Sequence, residues 1–159
     1  MRIAATLRVN GNDYPIEIDA HLTLLRAVRE HVGLTGAKEG CDDSECGACM
    51  MLLDGQPVNS CSYLALQAEG REITTVEGLA PPGELGPLQQ AFLDHGGVQC
   101  GFCTPGMLIS ATALLRRSAG TPPTEEDVRI ALAGNLCRCT GYETIVKAVL
   151  AAANESNHG

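Results

Sequence analysis

The sequence predicts an α+β protein in which a strand-rich N-terminal half precedes a helical C-terminal half. Three observations indicate this. Apolar and polar residues alternate near the N-terminus, a glycine- and proline-rich stretch lies at mid-chain, and apolar residues recur at helical spacing beyond it. With 159 residues and 45% hydrophobic composition, the chain can form one or two domains with a buried core.

The N-terminal pattern predicts a β-hairpin followed by a helix. Alternation over residues 3–9 and again over 14–18 indicates two strands, and Asn10 and Gly11 form a favoured hairpin turn between them. Thr23 is then placed as a helix N-cap and Gly33 as a left-handed C-cap. A helix that follows a hairpin indicates an α+β domain.

Residues 38–49 have no apolar periodicity and several turn-forming residues, which predicts a loop. A second hairpin is indicated by Asp54 and Gly55 between two apolar runs. The strands expected after the loop are residues 50–53, 57–60 and 72–76. We therefore expect the first domain to span residues 1–77.

A linker is predicted at residues 78–86, which contain Pro81, Pro82 and Gly83. The second domain is then expected at residues 87–153 and a frayed tail at 154–159. Its four amphipathic helices are expected to start at Pro87, at Thr104, after the N-cap Thr124, and near Glu143. Four short helices of this kind indicate a compact bundle.

Charge and hydrophobicity exclude several classes of function. The 11 basic and 19 acidic residues give a net charge of −8, which would repel nucleic acid and anionic membrane surfaces. No apolar run approaches the roughly 18 residues that span a bilayer, and the N-terminus lacks the pattern of a signal peptide. We expect a cytoplasmic protein with neither a nucleic acid nor a membrane as its partner.

The eight cysteines are the most informative residues of the chain. They make up about 5% of it, below the roughly 8–10% typical of small disulfide-stapled domains. Clustered cysteines in a cytosolic protein favour metal binding or redox chemistry. Their spacing distinguishes among the kinds of site.

The first four cysteines have the spacing of a plant-type [2Fe-2S] ferredoxin. They are Cys41, Cys46, Cys49 and Cys61, separated by four, two and eleven residues. Gly40 and Gly47 are expected to adopt positive φ and so to turn backbone N–H groups toward sulfur. A structural zinc site usually contains two short cysteine pairs, so zinc is a poorer match here.

The second four are Cys100, Cys103, Cys137 and Cys139, a CxxC pair and a CxC pair 33 residues apart. Taken alone this arrangement is less specific, because a zinc site with four cysteine ligands could be built from two such pairs. A thioredoxin-like redox pair expects a βαβ context that the pattern does not contain. Cys103 immediately precedes a predicted helix and Cys139 lies near the start of another, where unpaired N–H groups favour an anionic cluster.

Three strings together resemble the iron–sulfur subunits of the xanthine oxidase family of molybdenum hydroxylases. They are EGCDDSECGAC at residues 39–49, QCGFCTPGM at 99–107 and GNLCRCTGY at 134–142. The resemblance covers almost the whole chain. It implies a β-grasp ferredoxin domain followed by a four-helix bundle, each holding one [2Fe-2S] cluster through four of the eight cysteines. Met50 and Met51 depart from the Thr-Val that members commonly carry, a difference that bears on packing.

The resemblance also implies partners and a role. A large subunit would hold a molybdenum–pterin cofactor, in its dinucleotide form, near Gln99, Cys139 and the second cluster. A medium subunit would hold FAD near the first cluster, and the assembly would be a dimer of heterotrimers. The chain would be the electron-transfer subunit of an oxidoreductase, with no catalytic residue of its own. We also expect apolar residues such as Phe102 and Met107 to be candidates for an interface.

Two other functions are compatible with the cysteine pattern. The chain could be a freestanding two-cluster ferredoxin or redox sensor, although such a carrier would not need the helical domain. It could also be a zinc-binding adaptor, which would be colourless and lack acid-labile sulfide. Neither the substrate nor the direction of electron flow is encoded in the motifs.

Overall fold

A computed structural model describes residues 1–156, and it confirms the α+β class. Its strands are β1 Arg2–Val9, β2 Asn12–Asp19, β3 Met50–Leu53, β4 Gln56–Asn59 and β5 Glu72–Thr74. Its α-helices are α1 Leu24–Arg26, α2 Pro87–Asp94, α3 Thr104–Arg117, α4 Glu125–Ala131 and α5 Glu143–Ser156. Within residues 1–156, no helix combines the length and the hydropathy required to cross a membrane.

The five strands form one mixed sheet in the order β2-β1-β5-β3-β4. Strand β1 pairs antiparallel with β2 and parallel with β5, while β3 pairs antiparallel with both β4 and β5. Both predicted hairpin turns are confirmed. Asn10 and Gly11 have φ of 51° and 79°, and Asp54 and Gly55 have 49° and 79°, the pair of positive values that a tight type I′ turn requires.

The first helix forms where the sequence predicted it, but most of it is π-helical instead of α-helical. The Thr23 hydroxyl accepts a hydrogen bond from the Arg26 N–H at 3.4 Å, and the chain then continues as a π-helical segment, Ala27–Val32. Gly33 ends this segment with φ of 84°, as predicted for a C-cap glycine. The apolar side of the helix packs into the core of the sheet.

Strand β5 is two residues shorter than predicted. The Asn10 side chain accepts a hydrogen bond from the Thr75 N–H and donates one to the Thr75 hydroxyl, both at 2.9 Å. Thr75 is thereby bound by a side chain instead of a neighbouring strand. The chain turns into a 3₁₀ helix, Val76–Gly78, and Val76 packs against the core of the helical region.

Helices α2 to α5 form the expected bundle around a separate apolar core. Pro87 starts α2, and the Thr124 hydroxyl caps α4 by accepting from the Asp127 N–H at 3.2 Å. Met107 is fully buried in this core, so its expected place at a partner interface is wrong. Helix α5 continues to Ser156 and so includes the first three residues of the predicted tail, and the rest of that tail lies outside the described residues.

The strand-rich and helical regions share a third buried cluster. Leu52 of β3 packs against Ile109 and Ala113 of α3, and all three side chains are buried. Met50 is partly buried against this cluster, whereas Met51 lies inside the core of the sheet. The two unusual methionines therefore fill one apolar site each, which agrees with the adaptable shape of this side chain.

Candidate metal centres

The second hairpin brings together the two ends of the first cysteine set. Cys49 directly precedes β3 and Cys61 lies two residues after β4, so the antiparallel pairing places them side by side. Both are buried in the sheet core, with 1% and 4% of their surface exposed. The Ser60 hydroxyl donates to the Cys49 carbonyl at 2.6 Å and holds this junction closed. Cys41 and Cys46 lie on the preceding loop and are half-buried.

The four thiols of this site meet as two pairs. The Cys46 N–H donates to the Cys41 sulfur at 3.4 Å, and the Cys46 and Cys41 thiols are in hydrogen-bonding range. The Cys49 and Cys61 thiols form the other pair. Burial raises the pKa of Cys49 to about 11, so without a bound cation this thiol holds its proton at neutral pH.

The loop that carries Cys41 and Cys46 is shaped mainly by residues other than glycine. Asp42, Ser44 and Gly47 have φ of 62°, 67° and 74°. Left-handed residues alternating with others turn successive N–H groups to one side, which forms a concave site for an anion. Gly40 does not adopt positive φ, so that expectation is wrong. A Cβ at this position would instead lie 2.8 Å from the Cys46 sulfur, which leaves room only for glycine.

The second cysteine set is assembled from two distant segments. Cys100 lies between α2 and α3, Cys103 is the N-cap residue of α3, and Cys137 and Cys139 lie between α4 and α5. The Cys103 thiol pairs with Cys137, and the Cys139 thiol with Cys100. Burial raises the pKa of Cys103 to about 12. Cys100 and Cys139 are exposed.

Thr140 and Tyr142 hold Cys137 in place, and sequence reasoning assigned neither a role. The Thr140 N–H donates to the Cys137 sulfur at 3.4 Å, and the Thr140 hydroxyl lies 3.1 Å from the same atom. The Cys137 N–H donates to the Tyr142 hydroxyl at 3.0 Å. Burial acts to raise the pKa of Cys137, but the hydrogen bonds from Thr140 outweigh it and the pKa falls below its ordinary value.

Paired thiols suit a [2Fe-2S] cluster better than a single metal ion. Four cysteines hold the two irons of such a cluster, whereas one zinc ion gathers its four ligands around a single point. Across residues 1–156, no three His, Cys, Asp or Glu side chains are grouped around one point in that way. In the same range, the buried Thr104 hydroxyl beside Cys103 has no hydrogen-bond partner, and a cluster sulfur would supply an acceptor. The residues of both sites therefore fit the cluster.

One face of the second site is open to solvent. Cys100 and Cys139 are exposed, and Phe102 and Leu136, which are close to them in sequence, are 47% and 57% exposed. Gln99, which the resemblance placed near a pterin, is exposed next to Cys100. The segments that carry this site thus expose both thiols and apolar side chains.

Comparisons with known proteins match both halves of the chain. Residues 7–80 match the family described as 2Fe-2S iron-sulfur cluster binding domain, and residues 75–150 match the [2Fe-2S] binding domain. The chain is 52% identical over 151 residues to the nicotine 6-hydroxylase small subunit of Paenarthrobacter nicotinovorans, covering 95% of this chain and 90% of that protein.

Two further relatives extend the comparison to a solved structure. The chain is 47% identical to the nicotinate dehydrogenase small FeS subunit of Eubacterium barkeri over 148 residues, 93% of either protein. It superposes on a chain of quinoline 2-oxidoreductase from Pseudomonas putida 86 with a TM-score of 0.92 and 44% identity, covering 99% of this chain and 98% of that one. The resemblance inferred from the cysteine strings is confirmed.

Proposed function

Because the chain belongs to the iron–sulfur subunits of the xanthine oxidase family of molybdenum hydroxylases, we propose that it carries single electrons between a molybdenum–pterin site in a partner subunit and a further acceptor. The observation that carries this proposal is the gathering of eight cysteines into two sites of paired thiols. The chain is the electron-transfer component of an oxidoreductase, and substrate conversion belongs to its partner.

All eight cysteines act as ligands, four to each cluster. In the first site Cys41 and Cys46 would bind one iron and Cys49 and Cys61 the other, as their pairing indicates. In the second site the pairs are Cys100 with Cys139 and Cys103 with Cys137. When bound, a [2Fe-2S] cluster accepts and releases one electron at a time.

The surrounding residues stabilise the added negative charge and exclude water. N–H groups of Cys46 and Thr140 donate to ligand sulfurs, and donors of this kind favour the more negative redox state. Burial of Cys49 and Cys61 keeps one side of the first site dry. The exposed loop around Asp42 leaves its other side accessible to a partner.

The resemblance and the open face together support an order of partners. We place the large subunit, with its molybdenum–pterin dinucleotide, against the exposed Cys100 and Cys139, with Gln99 near the pterin. A medium subunit with FAD would face the Cys41 loop, within a cytoplasmic dimer of heterotrimers. We also divide the chain at the predicted linker, into domains of residues 1–77 and 87–153.

The partner, and not this chain, is proposed to select the substrate. The relatives are named for nicotine, nicotinate and quinoline, yet the chain is 44% to 52% identical to proteins from all three enzymes. Two of its pockets border the helix ends and the linker, lined by residues such as Pro87 and Leu115 in one and Asn10 and Pro81 in the other. If these small subunits all serve as electron carriers, their sequences can stay similar although their enzymes act on different substrates.

The experiment that tests this function is metal and labile-sulfide analysis of the protein purified from its native host. We expect about four irons and about four sulfides for each chain, and two distinct EPR signals after reduction. Larger subunits with molybdenum and flavin should co-purify. Zinc in place of iron would overturn the proposal, and a monomer that keeps both clusters and purifies without partners would indicate a freestanding ferredoxin.

A further inference from the structure

The two cysteine sites touch through their backbones at one hydrogen bond. The Leu136 N–H donates to the Cys46 carbonyl at 2.9 Å. Cys46 is itself a ligand of the first site, and Leu136 directly precedes Cys137 of the second. A route from the Cys46 sulfur to the Cys137 sulfur therefore follows covalent bonds except at this one contact.

A buried amide lies directly beside that contact. Asn135 is 2% exposed, and its Nδ2 donates to the Gly47 carbonyl at 3.2 Å. Its Oδ1 accepts from the Ser110 hydroxyl of α3 at 2.7 Å, and Ser110 is 3% exposed. Because both ends of the amide are bound, its orientation is fixed. Asn135 directly precedes Leu136, and Gly47 directly follows Cys46. The hydrogen bond from the Asn135 side chain to Gly47 therefore lies beside the backbone hydrogen bond from Leu136 to Cys46.

Two glycines allow the backbones to approach this closely. A Cβ on Gly47 would lie 2.3 Å from the Gly134 carbonyl, and a Cβ on Gly106 would lie 2.1 Å from the Gly47 carbonyl. Both distances are shorter than any real Cβ contact, so larger residues would push the segments apart. The loop of the first site is thus seated on α3 and on the segment before Cys137.

From this geometry we infer that Asn135, oriented by Ser110, is a positioning residue that holds the Cys46–Leu136 hydrogen bond as the conducting bridge between the two clusters. The inference rests on the proposed function for the clusters themselves. Its structural basis is that the amide ties Gly47 to Asn135, one residue from each end of the bridge. Without the amide, the buried Gly47 carbonyl keeps only the Met50 N–H, a donor from its own loop at 3.2 Å. It loses the hydrogen bond that ties that loop to the second site, so the two loops are free to separate.

The test compares Asn135→Leu, which removes both side-chain hydrogen bonds, with Thr75→Val in the complete assembly. Thr75 is a matched control because it is 1% exposed and its hydroxyl accepts a partly buried hydrogen bond, but from Asn10 in the first hairpin. Two readouts report on the bridge. One is hydrogen exchange of the peptide that contains the Leu136 amide, and the other is the magnetic interaction between the two reduced clusters in EPR.

For Asn135→Leu we expect exchange at Leu136 to rise roughly tenfold, the factor for one lost buried hydrogen bond, and the spin–spin splitting to change while both clusters stay loaded. Ser110→Ala should change both readouts less and in the same direction, and it carries the test if Asn135→Leu does not fold. Thr75→Val should lower the melting temperature and leave both unchanged. Unaltered exchange and splitting in the Asn135 and Ser110 variants, or equal changes in Thr75→Val, would overturn the inference. Hydrogen exchange at Leu136 tests the role of Asn135 whether or not clusters are bound. Absence of iron from the wild-type protein would therefore contradict the proposed function and not this inference.

Discussion

The two cysteine sites have similar ligands but are built differently. In the first, three cysteines lie on one loop, and the buried pair Cys49 and Cys61 belongs to the core of the sheet. In the second, the ligands come from two segments far apart in the chain, and Cys100 and Cys139 are exposed. The first site is thus part of the folding core of its region. The second depends on correct packing of the bundle and has two exposed ligands.

This difference is tested most strongly by replacing one ligand in each site. Cys49→Ser should remove the first cluster and destabilise the whole sheet region, because ligation supplies folding free energy and Cys49 lies within the core. Cys100→Ser should remove only the second cluster and leave the unfolding of the sheet region nearly unchanged. Both variants should retain about two irons for each chain. Iron analysis with calorimetry measures this, and greater damage from Cys100→Ser would reverse the comparison.

The next largest effect concerns the place where the two sites meet. Gly106→Ala should destabilise the protein by about 3 kcal/mol, since over-packing against a backbone atom costs more than the gain in helix propensity, about 1 kcal/mol. The new Cβ would lie 2.1 Å from the Gly47 carbonyl. Gly106 belongs to α3, which follows Cys103 of the second site, and its new Cβ would displace the loop of the first site. The variant should therefore weaken the binding of both clusters.

Gly134→Ala is the matched control for that substitution. A Cβ at Gly134 would meet only the flexible end of Met50, at 3.9 Å, so we expect little loss of stability. Chemical denaturation combined with the visible absorbance of the clusters would compare the two variants. Equal stability of Gly106→Ala and Gly134→Ala would mean that the loop of the first site is not seated on α3.

Local sequence signals predicted most of the framework of both sites. The turns at Asn10 and Asp54, the caps at Thr23 and Thr124 and the cysteine spacings each depend on a few adjacent residues, and the structure contains all of these turns and caps. These elements were predictable because their hydrogen bonds are made within one or two turns of chain. The end of β5 was misplaced, since the hydrogen bonds of Thr75 with the distant Asn10 side chain decide it.

The contacts that join the sites could not be predicted from local patterns. Asn135 binds Gly47, 88 positions away in the chain, and nothing in the composition around either residue identifies the other. The left-handed conformations of Asp42 and Ser44 were also missed, because the expectation relied on glycine. The close backbone approach at Gly47 and Gly106 was missed as well, since it depends on which segments meet in the fold.

A smaller effect is expected on the reduction potential, which one substitution should change in the second cluster and not in the first. Thr140→Val removes a hydroxyl that lies 3.1 Å from the Cys137 sulfur, while the backbone N–H donor remains. The reduced state loses about 1 kcal/mol of stabilisation, so the potential of the second cluster should become more negative by roughly 40 mV. The first cluster should not change, and Thr140→Ser should restore the original value. An EPR-monitored redox titration that shifts both clusters equally would contradict this assignment.

The smallest effects are expected from one exposed carboxylate in each region. Asp54 accepts hydrogen bonds from the Arg71 Nε at 2.7 Å and the Glu72 N–H at 2.9 Å, and these partners hold its pKa below 3.8, its ordinary value. Asp127 accepts from the Thr124 hydroxyl and N–H, at 2.7 and 2.8 Å, and its pKa is also lowered. A lowered pKa means that each carboxylate stabilises the fold above its unfolded-state pKa, and that this contribution disappears as the pH falls through the folded-state value.

Asp54→Asn should therefore lower the melting temperature of the sheet region slightly at neutral pH, and Asp127→Asn that of the helical region. Each variant should become indistinguishable from the wild type once the pH falls below the lowered pKa. The native carboxyl is then protonated and uncharged, like the amide that replaces it. Calorimetry between neutral and acidic pH would follow both transitions. If the regions unfold independently, each substitution moves one transition. If the shared cluster of Leu52, Ile109 and Ala113 makes them a single cooperative unit, either substitution moves both, and the contrast between the two sites then lies in their ligands and not in their folding.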